Sequence, residues 1–269
     1  MRVAVVATIA WMALAAWAAG QEPTGIIRPA AALRWSVETP GTPVQISILW
    51  GDRAAGPAGV LLKVPGGWDS GPHGHTADYH AFVITGRWVH AAETEREQAP
   101  ILGPGSYFAQ RRTVRHTDRC LEGSECVVFV YTAEPVATLP AVSTSTAQPG
   151  ASTITRSVDM QWARQSPTLP QHISLLWGSR DRGPYGEFVK LPSGFDSGLH
   201  AHTVVAAGVL ASGTWVHVEA NGAGREVELG PGSYVMQPGG GMHIDRCKAG
   251  SECVLFIFQD SKADVLWPQ

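Results

Sequence analysis

The same sequence pattern occurs twice in this chain, and the second copy follows the first at a constant distance. Residues 46–51 (ISILWG) return as residues 173–178 (ISLLWG), and residues 102–107 (LGPGSY) return unchanged as residues 229–234. Each matching position lies 127 residues after its counterpart, as His200 does after His73. A repeat of this length is a whole domain rather than one unit of a solenoid. We therefore predict two tandem copies of one domain.

Length and charge limit the kinds of protein this can be. The 269 residues, 44% of them hydrophobic, are enough to bury two cores of ordinary domain size. The net charge is −3, and the Lys and Arg residues are scattered rather than clustered. A surface that neutralises phosphates needs clustered positive charge, so we expect no nucleic-acid partner.

The N-terminus has the pattern of a secretory signal. Arg2 precedes an uncharged, Ala- and Val-rich run over residues 3–19, and the small-residue pattern 16–18 stands before a polar stretch. We predict a signal peptide over residues 1–20, a periplasmic or secreted protein, and no membrane association after cleavage. An uncleaved anchor is the alternative, because about 17 apolar residues lie at the lower limit for spanning a bilayer.

The four cysteines follow the repeat. Cys120 and Cys126 flank a Gly-Ser turn, as do Cys247 and Cys253. Two strands joined by so short a turn bring the flanking residues close enough for a bridge, so we predict two local disulfides. Metal ligation is the weaker alternative, since this spacing is not usual for zinc and export argues against free thiols.

The pattern of short apolar runs predicts an all-β chain. Runs rich in Val, Ile, Trp, Phe and Tyr alternate with Gly, Pro, Asp and Ser clusters, as in antiparallel strands with turns. Predicted strands of the first copy are 44–50, 59–64, 73–85, 87–92, 106–110 and 125–131, each recurring in the second copy. Aromatic residues at matching positions, such as Trp50 and Trp177, are expected to pack in the core or between the copies.

The repeat also predicts the domain boundaries. We expect domains over residues 32–132 and 159–260, joined by a Pro/Ser/Thr-rich linker over residues 133–158. The linker composition cannot form a core of its own. The sequence does not decide whether the linker lies across a barrel.

Three histidines in each copy form a candidate metal site. His73 and His75 are two residues apart, so on a strand their imidazoles share one face, about 7 Å apart. His116 follows a turn and a strand that can return beside them. The second copy repeats the set as His200, His202 and His243. Imidazole suits Fe, Cu, Zn, Ni or Mn, and three neutral ligands leave open positions on the ion. The alternative is ordinary histidines kept in step by the duplication.

These residues resemble a known family. Gly67, His73, His75, Tyr79 and Gly86 have the spacing of the first cupin motif, and Pro104-Gly105 followed by His116 is similar to the second. The likeness covers residues from about 32 to 258 in both copies and resembles a bicupin of the RmlC-like, ChrR-type group. It implies two tandem cupin domains, each a jelly-roll β-barrel with a metal inside. Cupins include dioxygenases, decarboxylases, isomerases, storage proteins and sensors, so the resemblance does not decide the reaction.

One departure from the cupin motif bears on the metal. The motif usually offers Glu as a fourth ligand, where this chain has Tyr79 and Ala206. That variant resembles three-histidine cupins, such as the β-diketone-cleaving and gentisate-type dioxygenases, which hold ferrous iron. The implied cofactor is a divalent transition metal, with iron favoured for a dioxygenase and Cu, Zn, Mn or Ni as alternatives. Loss of the anionic ligand favours an anionic substrate on the metal.

Further residues are candidates for supporting roles. Tyr79 is a ligand, a proton donor or barrel wall, and Gln110 and Gln237 either hydrogen-bond an oxygen at the metal or satisfy the backbone. His80 falls on the opposite face by alternation, and is a ligand only if a bulge turns it inward. His90 and His217 are expected at the rim or surface.

Asp118 and Asp245 lie two residues after the third histidine of each copy. A carboxylate there can accept a proton from the imidazole and orient it. The alternative is a surface ion pair with the arginine that follows each of them.

The loops before the third histidine differ between the copies. Residues 111–115 (RRTVR) make a basic mouth through Arg111 and Arg115, whereas residues 238–242 (PGGGM) are flexible. We expect the first pocket to accept an anionic substrate and the second, with small residues at 206–208, to be roomier. Solvated loop arginines are the alternative.

The leading hypothesis is an exported, metal-dependent, dioxygenase-like oxidoreductase acting on a small organic substrate. The alternative is a non-catalytic periplasmic protein that binds a metal or small ligand, such as a sensor. A third reading makes only one barrel catalytic. A homo-oligomer is compatible with each of these.

Overall fold

The fold is described here from a computed structural model covering residues 25–92, 95–145, 151–220, 224 and 226–268. The predicted signal peptide over residues 1–20 lies outside this range. Within the range, no helix is long and apolar enough to cross a membrane.

Short strands make up most of the described chain, with three single-turn 3-10 helices at Ala30–Ala32, Ala141–Ser143 and Ser157–Asp159. The strands up to the middle of the chain are β1 (Ile26–Arg28), β2 (Ser36–Val37), β3 (Gln45–Gly51), β4 (Ala58–Val64), β5 (His73–His75), β6 (Tyr79–Thr85), β7 (Trp88–Ala92), β8 (Tyr107–Gln110), β9 (His116–Cys120), β10 (Cys126–Thr132), β11 (Thr138–Pro140) and β12 (Ser152–Thr155). The later strands are β13 (Ala163–Arg164), β14 (His172–Gly178), β15 (Tyr185–Leu191), β16 (Ala206–Ser212), β17 (Trp215–Glu219), β18 (Glu226–Leu229), β19 (Tyr234–Gln237), β20 (His243–Cys247) and β21 (Cys253–Gln259).

Each half is built from a large and a small antiparallel sheet. The large sheets have the orders β12-β8-β6-β10-β4-β3-β2 and β1-β19-β16-β21-β15-β14-β13. The small sheets have the orders β11-β5-β9-β7 and β18-β17-β20. A large and a small sheet face each other as the two walls of a jelly-roll barrel, which confirms the predicted all-β fold of two tandem cupin domains.

The predicted strand 73–85 is wrong as a single element. The chain bends at residues 76–78, so that His73–His75 pairs with β9 in the small sheet and Tyr79–Thr85 pairs with β8 and β10 in the large one. The bend is held by Asp78, whose carboxylate accepts the backbone N–H of Arg112 at 2.8 Å. The change of sheet places the first two histidines and Tyr79 on opposite walls of the barrel.

Each half completes its large sheet with a strand from outside its predicted range. β1 pairs with β19 of the second half, and β12 pairs with β8 of the first. The predicted linker over 133–158 also supplies β11, which pairs with β5. The boundaries 32–132 and 159–260 stay predictions, because this strand exchange means that no single cut in the sequence separates two complete sheets.

The two large sheets pack against each other through a shared aromatic core. The rings of Phe82 and Phe188 lie 5.1 Å apart and those of Phe129 and Phe256 lie 4.9 Å apart, so the contact joins the two halves. Trp177 stacks on Tyr131 at 5.5 Å. Burying each such side chain stabilises the fold by roughly 1.5–3 kcal/mol. The expected position of the tryptophans between the copies is therefore confirmed for Trp177.

Both predicted disulfides are present. Cys120–Cys126 and Cys247–Cys253 have Cα–Cα distances of 5.8 and 5.7 Å. Each bridge links the end of a small-sheet strand to the start of a large-sheet strand and so ties the two barrel walls together. Closing a loop of this size stabilises by about 2 kcal/mol. The two bridges indicate an oxidising, extracytoplasmic environment.

The shared core predicts that the halves unfold together. Phe256 is fully buried between the large sheets, so Phe256→Ala should lower the free energy of unfolding by about 3–5 kcal/mol. Urea denaturation should remain a single transition, with faster amide hydrogen exchange in both halves. Val158→Ala, at a position that is 80% exposed, is the control and should change neither measurement. Faster exchange in the second half alone would contradict a common core.

Candidate metal centre

The small sheet brings the three histidines of the first half together. His73 pairs directly with His116 across β5 and β9, and His75 shares the face of His73 by strand alternation. The ring centroids of His73 and His116 lie 4.3 Å apart, and those of His75 and His116 lie 5.3 Å apart. One nitrogen from each ring lies within 4.8 Å of the other two. These nitrogens can therefore surround one ion.

The second half repeats the cluster with less regular backbone. His200 and His243 pair through two backbone hydrogen bonds, of 3.0 and 2.8 Å, outside any extended strand pairing. Their ring centroids lie 4.2 Å apart, and those of His202 and His243 lie 5.5 Å apart. The ligand nitrogens again lie within 4.8 Å of one another.

Backbone carbonyls set the orientation of most of these rings. The Nδ1 atom of His73 lies 3.1 Å from the Gly71 carbonyl, and that of His116 lies 3.0 Å from the Val114 carbonyl. Donation from Nδ1 leaves the Nε2 lone pair free to bind a metal. The same contact is made by Nδ1 of His200 to Gly198, of His202 to Asp264 and of His243 to Gly241. His75 differs, because its buried Nδ1 makes no hydrogen bond to the described residues.

Burial keeps two histidines of the first cluster, His75 and His116, neutral. Desolvation lowers the pKa of His75 to about 3 and the pKa of His116 to about 4. Neutral imidazole is the form that coordinates a metal. His243 is different: burial lowers its pKa, but the hydrogen bond and charge of Asp245 outweigh burial and raise the pKa above its ordinary value.

A buried carboxylate lies beside two of the three histidines of the first cluster. Asp118 Oδ2 is 3.5 Å from Nε2 of His116 and 3.7 Å from Nε2 of His73. Its Oδ1 accepts hydrogen bonds from Nδ1 of His90 at 2.8 Å and from Nε1 of Trp88 at 3.1 Å. The interpretation of Asp118 as a surface ion pair is wrong, because Asp118 is buried. That it accepts a proton from His116 and orients it stays a prediction, since its contact is with Nε2 while Nδ1 of His116 faces a carbonyl. The group that can share one ion consists of the three histidines, and Asp118 lies beside two of them.

The second half repeats this carboxylate. Asp245 Oδ2 lies 3.4 Å from Nε2 of His243 and 4.0 Å from Nε2 of His200. Its Oδ1 accepts from Nε1 of Trp215 at 2.7 Å and from Nδ1 of His217 at 2.8 Å. In each cluster a carboxylate oxygen therefore lies beside two of the three imidazole nitrogens, and a Trp and a fourth His hold the carboxylate.

His90 and His217 are buried, not at the rim. They are 0% and 1% exposed, since β7 and β17 place them directly opposite Asp118 and Asp245 in the sheet register. The expected rim position is wrong because the small sheet faces the barrel interior at these positions. The repeat held a signal for this contact, as both copies keep the His and the Asp in step.

Tyr79 lies on the opposite wall and reaches the cluster. Its hydroxyl is 3.2 Å from Nε2 of His116, and burial raises its pKa well above the ordinary value, so it keeps its proton. The second half has Ala206 at this position. The space beside the third histidine is therefore filled by a phenol in one barrel and left open in the other.

The two predicted glutamines differ in their partners. Gln110 Oε1 accepts a hydrogen bond from Ser152 on the exchanged strand β12 and lies 3.0 Å from Nε2 of His90. Gln237 Oε1 is buried and makes no hydrogen bond within the described chain. Both face the barrel interior behind the histidines.

The prediction that Arg111 and Arg115 make the entrance of the first cavity basic is wrong. Arg115 donates to the Ala141 carbonyl at 2.7 Å and to Thr144 Oγ1 at 3.0 Å, which holds the segment after β11. Arg111 is exposed, and neither arginine is among the described residues that line the first cavity. The alternative of solvated loop residues holds for Arg111.

The expectation that the second cavity is roomier than the first is also wrong. The cavity of the first barrel is continuous and has a volume of about 980 Å³, whereas the second half has two adjoining cavities of about 260 and 430 Å³ that share His200. The reason lies on the large-sheet walls, where the second half has the bulkier Tyr185, Glu187 and Gln259. The first half has Ala58, Val60 and Thr132 at these positions.

His80 faces away from the metal cluster, as alternation predicted. Its ring stacks on Trp177 of the other half at 4.1 Å, and its Nδ1 lies 2.7 Å from the hydroxyl of Tyr107. Burial lowers its pKa to about 4. The side chain therefore belongs to the contact between the halves.

A family model matches residues 42–110 and 150–265, more than half of the chain. Its description is a domain of unknown function, DUF4437. The chain belongs to the DUF4437 family. A search of curated proteins found no match for this DUF4437 protein.

Solved structures of similar fold cover nearly the whole DUF4437 chain. A candidate dioxygenase from Nostoc punctiforme is 17% identical, with 93% of this chain and 89% of that chain covered and a TM-score of 0.68. A candidate glyoxylate-induced protein from Pseudomonas aeruginosa is 12% identical, with 96% of both chains covered and a TM-score of 0.62. The oxalate decarboxylase of Lactobacillus farciminis is 12% identical, with 92% of this chain and 89% of that chain covered and a TM-score of 0.57. At these identities the likeness establishes the cupin fold alone.

The buried His80 predicts an acid-sensitive contact between the halves. The pKa of His80 is lowered from 6.5 to about 4 on folding, so as the pH falls through this interval the unfolded chain binds a proton that the folded chain does not. The part of the free energy of unfolding that depends on neutral His80 should therefore be fully present above pH 6.5 and be lost as the pH falls to about 4. His80→Phe keeps a ring against Trp177 and should remove this part of the pH dependence.

Denaturant titrations at a series of pH values measure the effect as the difference in slope between wild type and variant. His172→Gln, on β14 and outside both clusters, is the control and should keep the wild-type slope. Equal slopes for wild type and His80→Phe would show that His80 does not carry the effect.

Proposed function

We propose that this DUF4437 protein is an exported, metal-dependent bicupin of the RmlC-like, ChrR-type group, acting as a dioxygenase-like oxidoreductase on a small organic substrate. The observation that carries the proposal is the cluster of three imidazoles inside each barrel, with a carboxylate beside two of them. Buried, preorganised groups of this kind mark functional sites rather than stable cores. Export is supported by the two disulfides and the N-terminal sequence pattern.

The donor set fits a divalent transition metal. Donor atoms on a tetrahedral ion with bonds of about 2.0–2.1 Å are separated by about 3.3 Å. The distances of 3.5 and 3.7 Å from Asp118 Oδ2 to the two Nε2 atoms are close to this value. Three nitrogens and one oxygen suit iron, copper, zinc, nickel or manganese, and iron is favoured for a dioxygenase. A redox-active ion held here would supply electron transfer and Lewis acidity.

The chain's own residues have separate tasks around such an ion. Trp88 and His90 hold the Asp118 carboxylate, which fixes the direction of its second oxygen. Tyr79 keeps its proton and can donate it in a hydrogen bond to a substrate oxygen beside His116. Apolar side chains of the first cavity, such as Phe108, exclude water around the cluster.

The comparisons add support for redox chemistry over simple binding. A candidate dioxygenase and an oxalate decarboxylase share the fold, and both of those names describe reactions of small organic molecules. The non-catalytic sensor or carrier is not favoured by this. Purification without a chelating tag, metal analysis and an oxygen-uptake screen with diketones, phenols, hydroxy acids and sugars would test the proposal. Bound zinc without turnover would favour the carrier.

The clusters predict one metal ion per barrel. Full-length protein should contain two metal ions, and His73→Ala or His200→Ala should each lower the content to one, because two imidazoles and a carboxylate hold the ion far less tightly. Elemental analysis of the purified protein measures the content. His172→Ala is the control and should leave the content at two. Unchanged metal content in a natively folded variant that carries both His73→Ala and His200→Ala would contradict the proposed centre.

We expect Asp118 and Asp245 to contribute negative charge to the two metal centres. Asp118→Asn and Asp245→Asn keep the side-chain shape but remove the anion, so each should weaken metal binding in its own barrel by about tenfold or more. Competition with a chelator measures the affinity, and the visible spectrum of cobalt-loaded protein reports a change of ligand. Asp159→Asn, at an exposed ion pair with Arg156 outside both clusters, is the matched control. Unchanged affinity and spectrum would leave a centre of three histidines alone.

A further inference from the structure

The cavity of the second barrel carries buried polar atoms that the rest of the described chain does not satisfy. They are Oε2 of Glu187, Oε1 of Gln237, Nε2 of Gln259 and Nε2 of His217. Their residues are 3%, 5%, 2% and 1% exposed, and all four line the cavity that also contains the second histidine cluster. Buried polar groups are nearly always hydrogen-bonded in proteins, so a group of four in one cavity points to a bound molecule.

The first barrel has a different and smaller set of unsatisfied atoms at its cluster, Nδ1 of His75 and Nε2 of Gln110. It has Val60 and Thr132 where the second has Glu187 and Gln259. The Oε1 atom of Gln110 accepts a hydrogen bond from Ser152, so the acceptor that is unsatisfied on Gln237 is satisfied on Gln110. The position of Ser152 in the repeat is taken by Gly25 in the strand that completes the second barrel, and glycine has no hydroxyl to offer Gln237. The same fold is thus compatible with side chains that leave no unsatisfied acceptor or donor at the positions of Glu187 and Gln259, and with a satisfied oxygen at the position of Gln237.

Neighbouring residues direct the unsatisfied atoms into the cavity. Arg180 pairs with Oε1 of Glu187, which leaves Oε2 as a free acceptor. The hydroxyl of Tyr185 donates to Oε1 of Gln259, which leaves its amide nitrogen as a free donor. His217 contacts Asp245 through Nδ1, so its Nε2 is an acceptor. The four residues that line this cavity therefore offer three acceptors and one donor. One of the acceptors belongs to Glu187, whose charge Arg180 neutralises.

This pattern selects the chemistry of a ligand. Several acceptors favour a molecule with several O–H donors, and the single donor favours a molecule that also accepts. The side chains give no preference for a net anion, because Glu187, Asp245 and Asp264 line the cavity with Arg180 as the one Arg or Lys among the described lining residues, and a divalent ion in the cluster would bring this sum only to about neutral. A volume of about 260 Å³ lies just below the usual range of about 300–1,000 Å³ for ligand cavities, so the ligand is small.

We propose that the C-terminal barrel binds a small, neutral, polyhydroxylated molecule, a polyol or monosaccharide, through Glu187, Gln237 and Gln259. The proposal rests on the proposed function, because the ligand lies in the cavity of the second metal cluster. The first barrel, with its apolar wall, does not bind this ligand. The two barrels thus have the same donor set for a metal and different selectivity for the organic molecule.

The test uses as-purified, metal-containing, full-length protein and isothermal titration calorimetry. The probes are xylitol and D-xylose for the proposed class, succinate for anions and butylamine for cations. We expect the wild type to bind a polyol probe and to prefer it to succinate and butylamine. Gln259→Leu and Glu187→Gln should each weaken binding about tenfold or more, which corresponds to about 1.4 kcal/mol. Gln237→Leu, on a different strand, serves if either variant fails to fold.

Thr132→Val, at the position in the first barrel that corresponds to Gln259, is the matched control and should bind as the wild type does. The proposal is overturned if neither polyol probe binds, if succinate or butylamine binds better, or if the variants bind as the wild type does. Metal content measured on the same samples separates the two hypotheses. Full metal content without polyol binding contradicts only this inference, whereas missing metal contradicts the proposed function.

Discussion

The pairing of the first histidine of each cluster with the third, His73 with His116 and His200 with His243, is the constraint on which the rest of the site depends. Once these residues face each other across the small sheet, strand alternation puts the second histidine and the aspartate on the same face. The neighbouring strand then places His90 opposite Asp118. In the first half the three histidines and Asp118 therefore all come from the small sheet, while the large sheet supplies the cavity walls and Tyr79.

Local sequence patterns predicted much of the fold, because the physical signals concerned are local. Alternating apolar residues, turn residues and a repeat indicate strands and their number, and a cysteine pair across a short turn indicates its own partner. The histidines of the cluster were found for the same reason, as His73 and His75 lie on one strand. The bend at 76–78 escaped prediction because Asp78 is held by Arg112, a contact between residues distant in the sequence.

Contacts between strands far apart in the chain account for the other errors. The register that sets His90 against Asp118, and the exchange of β1 and β12 between the halves, depend on tertiary pairing that no short pattern encodes. The exchange has a chemical consequence. Ser152, which precedes the second copy, hydrogen-bonds Gln110 in the first cavity, so each barrel has its interior partly determined by the segment that introduces the other.

The two halves can be compared as an experiment on one fold, since they share the backbone and the metal cluster and differ in the walls. An unsatisfied buried polar group costs about 1–3 kcal/mol, and Val60 and Thr132 occupy the same places in the first barrel without that cost. Glu187 and Gln259 are therefore not needed for folding of the barrel. Their presence next to the second histidine cluster is best explained by a molecule that completes their hydrogen bonds. Duplication would then have kept the metal chemistry and changed the molecule on which it acts.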